Sequence, residues 1–427
     1  MKKTNEIPFS SEWWDYFLSK NKKFTEPCVI KNCLNQNLVQ NLTEGVFEML
    51  KERYKIEHIH RGFRVYIEGV EQDNLFSRNL ALNPPKKNEN IIEYLEGIFD
   101  KKFGMIINSG EKYSDILSDT LLEKIRPLIE KIGLPTSGLE LTIFIGNYGW
   151  TPLGIHQDHK GENVLHFHLG PGSKTMYTWD EDKYNELTNT KHNNKDILPL
   201  LKYAQKFPFT EGDLFYMPWN KFHVGYSDEI SIGITLWFNN PTNLEFTNKV
   251  IKSFTNQYIE GNNEKILTPQ IDYIKNNNSF NDLLETIKIN DDLKNVDVIS
   301  FFKHIYNEYK YSILSNGGWQ SVPVNKTTSI KYNVEEYEFL NNKKIKSKMG
   351  YEIIYQIRNE SIDIFVRGSK IEMNYFPEVT KMIEMINTNN ILDTDDLLSF
   401  SNKNFPKEAG LYFLSLIYDK RGFEIME

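Results

Sequence analysis

The sequence predicts an α+β protein, with an antiparallel β core and flanking helices, then a helical segment and a small α/β module. Three observations carry this prediction. Short strand-like segments crowd the middle of the chain, helical periodicity lies on both sides of them, and alternating segments return near the end. At 427 residues the chain exceeds what one hydrophobic core usually holds. We therefore expect separate units at residues 1–241, 242–316 and 317–427.

Composition indicates an ordinary acidic globular protein. The chain is 40% hydrophobic and 25% charged, with a formal net charge of -8, so nucleic acid is not an expected partner. No apolar run approaches the ~18 residues that span a membrane. Residues 1–6 are not followed by the apolar stretch of a secretory signal. Cys28 and Cys33 are too few for a disulfide scaffold, and we expect a cytoplasmic protein with reduced thiols.

The first part of the chain predicts mainly helices. Apolar residues recur at helical spacing in residues 11–20, 36–54, 90–99 and 114–132. Gly133 and Pro135 end the last of these helices. Strands are expected at residues 27–30 and 63–67.

Strand signals dominate the middle of the chain. The segments are short, rich in β-branched and aromatic residues, and bounded by Gly, Pro or Asn. They comprise residues 139–145, 163–169, 174–179, 213–217 and 230–238. Such a set is typical of a closed or sandwiched antiparallel core. The polar, helix-prone residues 180–206 are interpreted as an insertion between two core strands.

Helical spacing returns over residues 242–315, and the pair Gly317-Gly318 marks a connector. Beyond it, the order of elements predicts a winged-helix-like module. This order is a hairpin at 351–357 and 361–367, helices at 377–387, 394–400 and 407–418, and a strand at 423–426.

His156, Asp158 and His223 are the candidate metal ligands. Two imidazoles and one carboxylate on one side of an ion form the facial triad of Fe(II) oxygenases, which leaves coordination positions open. Side chains two residues apart on a strand point to the same face, so His156 and Asp158 can reach one ion together. His223 follows a Gly-Asp turn and an apolar segment, which can return it on a neighbouring strand.

His166 and His168 form a rival pair, also two residues apart on a predicted strand. An HxD triplet occurs by chance in many sequences, and a strand histidine is commonly structural. No other acidic residue has a comparable arrangement with two histidines. We favour the interpretation that His166 and His168 line the interior without binding the metal.

Lys174 is the candidate partner for a cosubstrate carboxylate. Oxygenases with this triad normally use 2-oxoglutarate, whose distal carboxylate requires a cation. One lineage supplies an Arg beyond the distal histidine, but no Lys or Arg occurs from His223 to Asn240. The other solution is a Lys on the strand after HxD, which Lys174 fits. An ordinary surface position for this lysine is the alternative.

These segments together resemble the JmjC-type cupin oxygenases. The resemblance rests on Thr151-Pro152, His156-Gln157-Asp158, Asn163, Gly172-Ser173-Lys174, residues 212–218 before His223, and residues 231–238. It implies a double-stranded β-helix, the cupin or jelly-roll core. It also implies Fe(II) at the triad, 2-oxoglutarate at Lys174 with Thr151 and Asn163 nearby, and O2 as the oxidant. The later regions resemble the ribosomal oxygenase branch, in which the helical segment makes a homodimer.

The predicted function is hydroxylation of a C–H bond in an amino-acid side chain of a protein or peptide. Asp158 favours hydroxylation over halogenation, because related halogenases replace this carboxylate with a small residue. One alternative is a hydroxylase of a free amino acid or a carrier-bound small molecule. A second alternative is a non-catalytic cupin-like binding module.

Overall fold

The computed structural model describes residues 7–55, 62–86, 89–190, 192–259, 266–267, 278–289, 293–324 and 334–426. Helices and antiparallel sheets together build it, which confirms the predicted mixed class. The helices are α1 (Ser11–Lys20), α2 (Gln36–Arg53), α3 (Asn74–Ala81), α4 (Ile91–Ile98), α5 (Asp115–Ile132), α6 (Glu181–Thr188), α7 (Asn243–Tyr258), α8 (Asn278–Thr286), α9 (Val298–Ser315), α10 (Pro377–Ile386), α11 (Thr394–Leu398) and α12 (Lys407–Asp419).

The larger sheet has eight strands within the described ranges, and all of its pairings are antiparallel. In spatial order they are β1 (Cys28–Ile30), β10 (Leu214–Met217), β7 (Glu162–Pro171), β12 (Ser231–Asn239), β5 (Leu139–Gly146), β4 (Phe103–Asn108), β2 (Phe63–Ile67) and β3 (Val70–Glu71). Strands that are distant in sequence lie side by side, so the chain crosses the sheet repeatedly. This topology brings residues of the first half of the chain next to residues near 235.

A smaller sheet of four described strands lies across from it. Its spatial order is β6 (Gly149–Trp150), β11 (Lys221–Ser227), β8 (Lys174–Asp180) and β9 (Gln205–Phe209). Side chains of both sheets line one shared cavity. The two sheets therefore enclose the space in which a site can form.

Strand β7 shows how the sequence divides the two faces of the larger sheet. Val164 and His166 face the shared cavity. Leu165 and Phe167 alternate with them and belong to the large hydrophobic core on the other face. Neighbouring residues of a strand point to opposite faces. One face of β7 therefore lines the cavity, and the other packs into the core beneath the helices.

Helices α1, α2 and α5 cover the outer face of the larger sheet. Trp14 and Phe17 of α1 are fully buried there. Side chains cap the three helices: Ser10 accepts from the Trp13 amide, Asn35 from the Leu38 amide and Ser114 from the Leu117 amide. Each cap satisfies an amide that the first helical turn leaves without a partner.

Five strands of the two sheets were not predicted from the sequence, and two of them, β3 and β6, are only two residues long. Strand β4 reads Phe-Gly-Met-Ile-Ile-Asn, an apolar run without alternation, because one face packs into the core under the helices and the other walls the cavity between the sheets. Strands β9 and β11 contain Pro208 and Gly225, which weaken the local strand signal. Register with β8 decides their conformation instead. Elsewhere the elements that the sequence predicted match the observed ones to within a few residues, but helix α3 and the strands at residues 344–346, 369–374 and 391–393 were not predicted.

The C-terminal region forms two small sheets around its own hydrophobic core. One sheet has the order β17 (Ile391–Asp393), β13 (Lys344–Lys346) and β18 (Glu424–Met426), and the other β14 (Ile354–Arg358), β15 (Ser361–Val366) and β16 (Ser369–Asn374). Trp319 and Tyr351 instead pack into the first core, although both follow the predicted boundary at 317. The three-unit division stays a prediction.

Polar contacts join the C-terminal region to α5. The Lys348 ammonium lies 2.9 Å from a carboxylate oxygen of Asp119, and the Tyr351 hydroxyl donates to the other oxygen at 2.7 Å. Asp119 therefore carries two partners from the C-terminal region and fixes it against the helix behind the larger sheet. Across the described ranges, no helix combines the length and the apolarity needed to cross a membrane.

Glu111 is a buried carboxyl behind the cavity wall. It lies in the short 3-10 helix Gly110–Lys112, is 2% exposed, and accepts a hydrogen bond from the Leu141 amide at 2.9 Å. Burial, followed by the charge of Glu140, raises the pKa of Glu111 from 4.5 to about 8. The folded chain therefore keeps this group protonated at neutral pH.

Glu111→Gln should flatten the dependence of stability on pH. Because the folded-state pKa of Glu111 is raised, its contribution is fully present below about pH 4.5 and is lost as pH rises toward about 8. The loss scales with about 1.4 kcal/mol for each unit of pKa difference. Glutamine cannot ionise, so denaturant unfolding between about pH 5 and pH 8 should show a shallower decline.

The exposed Glu123 of α5 offers a matched control. Glu123→Gln should keep the wild-type slope. If Glu111→Gln also kept that slope, the buried carboxyl would not be the group that links stability to pH.

Candidate metal centre

The structure brings the three predicted ligands together. One ligand atom each from His156, Asp158 and His223 lies within 4.8 Å of the others. His156 and His223 form an isolated antiparallel bridge, with amide-to-carbonyl distances of 3.0 and 2.7 Å in the two directions. The backbone thus sets the two imidazoles side by side, with ring centroids 4.3 Å apart.

Both histidines have the same orientation. The Nδ1–H of His156 donates to the Gly154 carbonyl at 2.9 Å, and that of His223 donates to the Lys221 carbonyl at 3.2 Å. A carbonyl can only accept, so these contacts place the proton on Nδ1 and leave the Nε2 lone pair available. Metal-binding histidines commonly hold their second nitrogen in this way.

Burial keeps the two imidazoles neutral. It lowers the pKa of His156 to about 4, with the neighbouring His223 adding to the effect, and lowers that of His223 to about 4. Burial also raises the pKa of Asp158 to about 6. Oδ1 of Asp158 lies 3.9 Å from Nε2 of His223, and Oδ2 is buried without a hydrogen-bond partner. A buried polar atom left in this way fits a site that a cation completes.

The HxD segment itself is not a regular strand. Ile155 and Asn194 exchange amide-to-carbonyl hydrogen bonds of 2.7 and 2.9 Å, so the insertion between β8 and β9 holds the segment in place. Gly154 has φ 73°, and a Cβ there would lie 2.5 Å from the Asn194 carbonyl oxygen. Only glycine permits this close approach without strain.

The triad lies in a cavity of about 620 Å³ between the two sheets. Strands β2, β4, β5, β7, β10 and β12 supply one wall, and β8, β11 and the HxD segment supply the other. A cavity of this size can hold a small cosubstrate together with one side chain of a substrate.

Lys174 is a buried cation in this cavity. It is 7% exposed, and its Nζ lies 5.1 Å from the ring centroid of Phe144 and 5.7 Å from that of Tyr148. No carboxylate of the described part of the chain lies within salt-bridge distance of it. The surface alternative for this lysine is therefore wrong, and an anion inside the cavity would give the ammonium its missing partner.

The other two predicted cosubstrate residues differ from each other. Thr151 lines the cavity, and its hydroxyl contacts the Gly225 backbone. Asn163 does not line the cavity, because it lies on the opposite face of β7 from His166. Its carboxamide oxygen instead accepts from the Tyr216 hydroxyl at 2.9 Å. Asn163 therefore lies outside the cavity that the triad and Lys174 share.

His166 and His168 do not join the triad. His166 lines the cavity, with Nδ1 3.0 Å from the Thr235 hydroxyl, whereas His168 Nε2 donates to the Gly172 carbonyl at 2.8 Å. Neither belongs to a group of three possible metal ligands in the part of the chain that the structure describes.

Glu140 and Glu162 are cavity residues that the sequence did not single out. Burial is the main cause that raises the pKa of each. Each alternates along its strand with other cavity residues, Thr142 on β5 and Val164 on β7. The sequence could have indicated that these residues share a strand face, but it does not reveal which face of each strand lines the cavity.

A second ligand-like group, His304, Glu308 and Asp363, lies between α9 and β15. The Lys370 ammonium already lies 2.5 Å from Glu308 and 3.2 Å from Asp363. Arg358 pairs with the remaining oxygen of Asp363 at 2.7 Å. This group is a buried ion-pair network that ties the helical segment to the C-terminal region.

No family model matches this sequence, and a sequence comparison with curated proteins found no match. The fold is similar to that in the X-ray structure of E. coli ycfD, with 15% sequence identity, a TM-score of 0.51, and coverage of 97% of this chain and 98% of that chain. A structure described as YcfD, a ribosomal oxygenase from Escherichia coli, gives 14% identity and a TM-score of 0.50 at the same coverage. At these identities the likeness shows the fold alone.

Asp158→Ala should abolish high-affinity binding of a divalent metal, because two histidines alone leave the ion without its anionic ligand. Titration with Co(II), followed by its visible absorption, measures this directly. Asp182→Ala removes an exposed carboxylate from α6 and is the control. Undiminished Co(II) affinity in Asp158→Ala would exclude this carboxylate as a ligand.

Proposed function

We propose that this chain is an Fe(II)- and 2-oxoglutarate-dependent oxygenase that hydroxylates a C–H bond in an amino-acid side chain of a protein or peptide. The observation that carries the proposal is the pair of Nε2 atoms and the Asp158 carboxylate converging in one cavity, with the buried Lys174 in the same cavity. Two histidines and one carboxylate are the ligand set of non-haem Fe(II) oxygenases.

The residues fit the two groups that this chemistry needs. His156, Asp158 and His223 would hold Fe(II), and Lys174 would pair with the distal carboxylate of 2-oxoglutarate. When bound, these groups supply the activation of O2, coupled to conversion of 2-oxoglutarate into succinate and CO2. One oxygen atom of O2 enters succinate and the other enters the substrate C–H bond.

The chain's own contribution is to orient its ligands and to exclude water. The Gly154 and Lys221 carbonyls orient the imidazoles, and burial keeps both neutral, which metal binding requires. Phe144 and Tyr148 hold the Lys174 ammonium inside the cavity. The apolar surroundings strengthen the attraction between that ammonium and a carboxylate.

We infer that the two facing sheets are the halves of a double-stranded β-helix and that the C-terminal region is a winged-helix-like module. Antiparallel pairing throughout the two sheets, and a site between them, support the first inference. The small sheets packed with α10, α11 and α12 around one core support the second.

One observation favours a protein or peptide substrate over a small molecule. The overall fold is similar to that of a protein described as a ribosomal oxygenase, along nearly the whole of both chains. Beyond the metal ligands, the cavity offers Glu140, Glu162 and Asn239 as polar groups for a substrate of either kind. A free amino acid or a carrier-bound small molecule is the second candidate, and the same assay tests it.

Incubation with Fe(II), 2-oxoglutarate and O2 should form succinate and add one oxygen atom to a peptide. Mass spectrometry of peptides from ribosomal and other cellular proteins detects the added oxygen. Lys174→Ala should reduce succinate formation at least about tenfold, because a buried charge pair is lost. Lys403→Ala, at an exposed lysine of the C-terminal region, should not.

Oxygen incorporation into free amino acids but into no peptide would favour the small-molecule alternative. Absence of both succinate formation and 2-oxoglutarate binding would support the non-catalytic binding module.

We further propose that the helical segment forms a homodimer. Its α9 exposes large apolar side chains, with Val298 68%, Ile299 76% and Phe302 46% exposed. An exposed apolar face of this kind marks an association surface. A second copy would cover it symmetrically, as most soluble homo-oligomers do.

Phe302→Glu should shift the chain from dimer to monomer, because a charge at the centre of an apolar interface loses its hydration. Light scattering coupled to size-exclusion chromatography measures the mass. Lys403→Glu, exposed and distant in sequence, is the control. A monomeric wild type would exclude the dimer.

A further inference from the structure

We propose that Gly225, held in position by Thr151, keeps open the path between the metal ligands and Lys174 and thereby sets which keto acid the cavity accepts. This inference rests on the proposed function and adds a residue that decides cosubstrate size. Gly225 is a cavity-lining residue of β11 and is not itself a candidate metal ligand.

The strand register places Gly225 between the two ends of the cosubstrate site. His223 lies opposite Thr178, and Gly225 lies opposite Met176. His223 precedes Gly225 by two residues on β11, and Lys174 precedes Met176 by two residues on β8. His223, Gly225, Met176 and Lys174 all line the cavity, because side chains two apart on a strand share a face. Two residues span about 6.6 Å along a strand. An extended molecule that joins the metal to Lys174 therefore passes Gly225.

Side chains of the cosubstrate site leave little room for a Cβ atom at position 225. A Cβ at this position would lie 3.0 Å from Thr151 Oγ1, 3.1 Å from Met176 Sδ and 3.2 Å from Lys174 Cε. These distances are shorter than ordinary van der Waals contacts. An added methyl group would therefore press on Thr151, Met176 and the Lys174 stem, which would have to shift by a few tenths of an ångström, and it would occupy part of the path itself.

Glycine at 225 is not explained by backbone conformation. Its φ lies outside the left-handed region, so alanine could adopt the same backbone without strain. Gly154, by contrast, has a positive φ and a backbone oxygen in the way. Glycine at position 225 is therefore explained by the space that it leaves in the cavity and not by its backbone conformation.

Thr151 fixes the backbone of Gly225. The Gly225 amide donates to Thr151 Oγ1 at 3.2 Å, and the Gly225 carbonyl accepts from the Thr151 hydroxyl at 3.1 Å and from its amide at 2.9 Å. With both of its polar groups held, Gly225 cannot move aside for an added methyl group. Thr151 is accordingly a positioning residue that acts through Gly225.

The test compares binding of two keto acids to wild type and Gly225→Ala. 2-Oxoglutarate spans the path to Lys174, whereas pyruvate has no distal carboxylate and ends before it. Anaerobic titration of the Fe(II) protein, followed by the visible charge-transfer band, gives both affinities. We expect Gly225→Ala to weaken 2-oxoglutarate binding about tenfold or more, the scale of one misplaced methyl group in a fitted pocket. Pyruvate and Co(II) affinities should stay within about twofold.

Gly97→Ala is the matched control. Gly97 lies in α4, and a Cβ there meets nothing within 4 Å. This variant should bind both keto acids as wild type does. Thermal unfolding of each variant shows whether the fold is kept, and Gly225→Ser, nearly as small as alanine, should repeat the loss.

Three results would overturn the inference. Unchanged 2-oxoglutarate affinity in Gly225→Ala would exclude Gly225 while leaving the proposed oxygenase intact. Equal weakening of Co(II) and both keto acids would show that the methyl group acts through His223. If wild type bound Fe(II) but not 2-oxoglutarate, the proposed function would fail together with this inference.

Discussion

The site depends on a hydrogen-bonded bridge between two segments that are far apart in sequence. The amide and carbonyl of His156 pair with those of His223, and each imidazole donates its Nδ1–H to a carbonyl two residues earlier. Backbone groups therefore set the position, tautomer and direction of both rings. No long side chain has to be ordered for this purpose, so the arrangement costs little conformational entropy.

Burial gives the cavity its chemical character. The same low-polarity surroundings keep the two histidines neutral, leave a carboxylate oxygen of Asp158 without a partner, and hold Lys174 away from any carboxylate of the described residues. These features would destabilise a closed protein core. Together they describe a space arranged for a cation at one place and an anion at another.

Elements outside the two sheets hold this space in shape. The insertion between β8 and β9 pairs with Ile155 next to the first ligand, and Glu111 bonds to the backbone of β5 behind the cavity wall. Asp119 of α5 binds the C-terminal region, and the Glu308 network joins that region to the helical segment. Polar contacts thus fix the C-terminal region both to α5 behind the larger sheet and to the helical segment.

The sequence by itself determined the mixed fold class, most helices and strands, the three candidate metal ligands and the cavity lysine, because periodicity and an HxD spacing are local properties. Only the tertiary structure decided the rest. It made β11 a strand through its register with β8, turned Asn163 away from the cavity, and placed Glu140, Glu162 and Gly225 in its walls. Which face of a strand meets a site depends on what packs across from it. That partner lies far along the chain, and no local pattern identifies it.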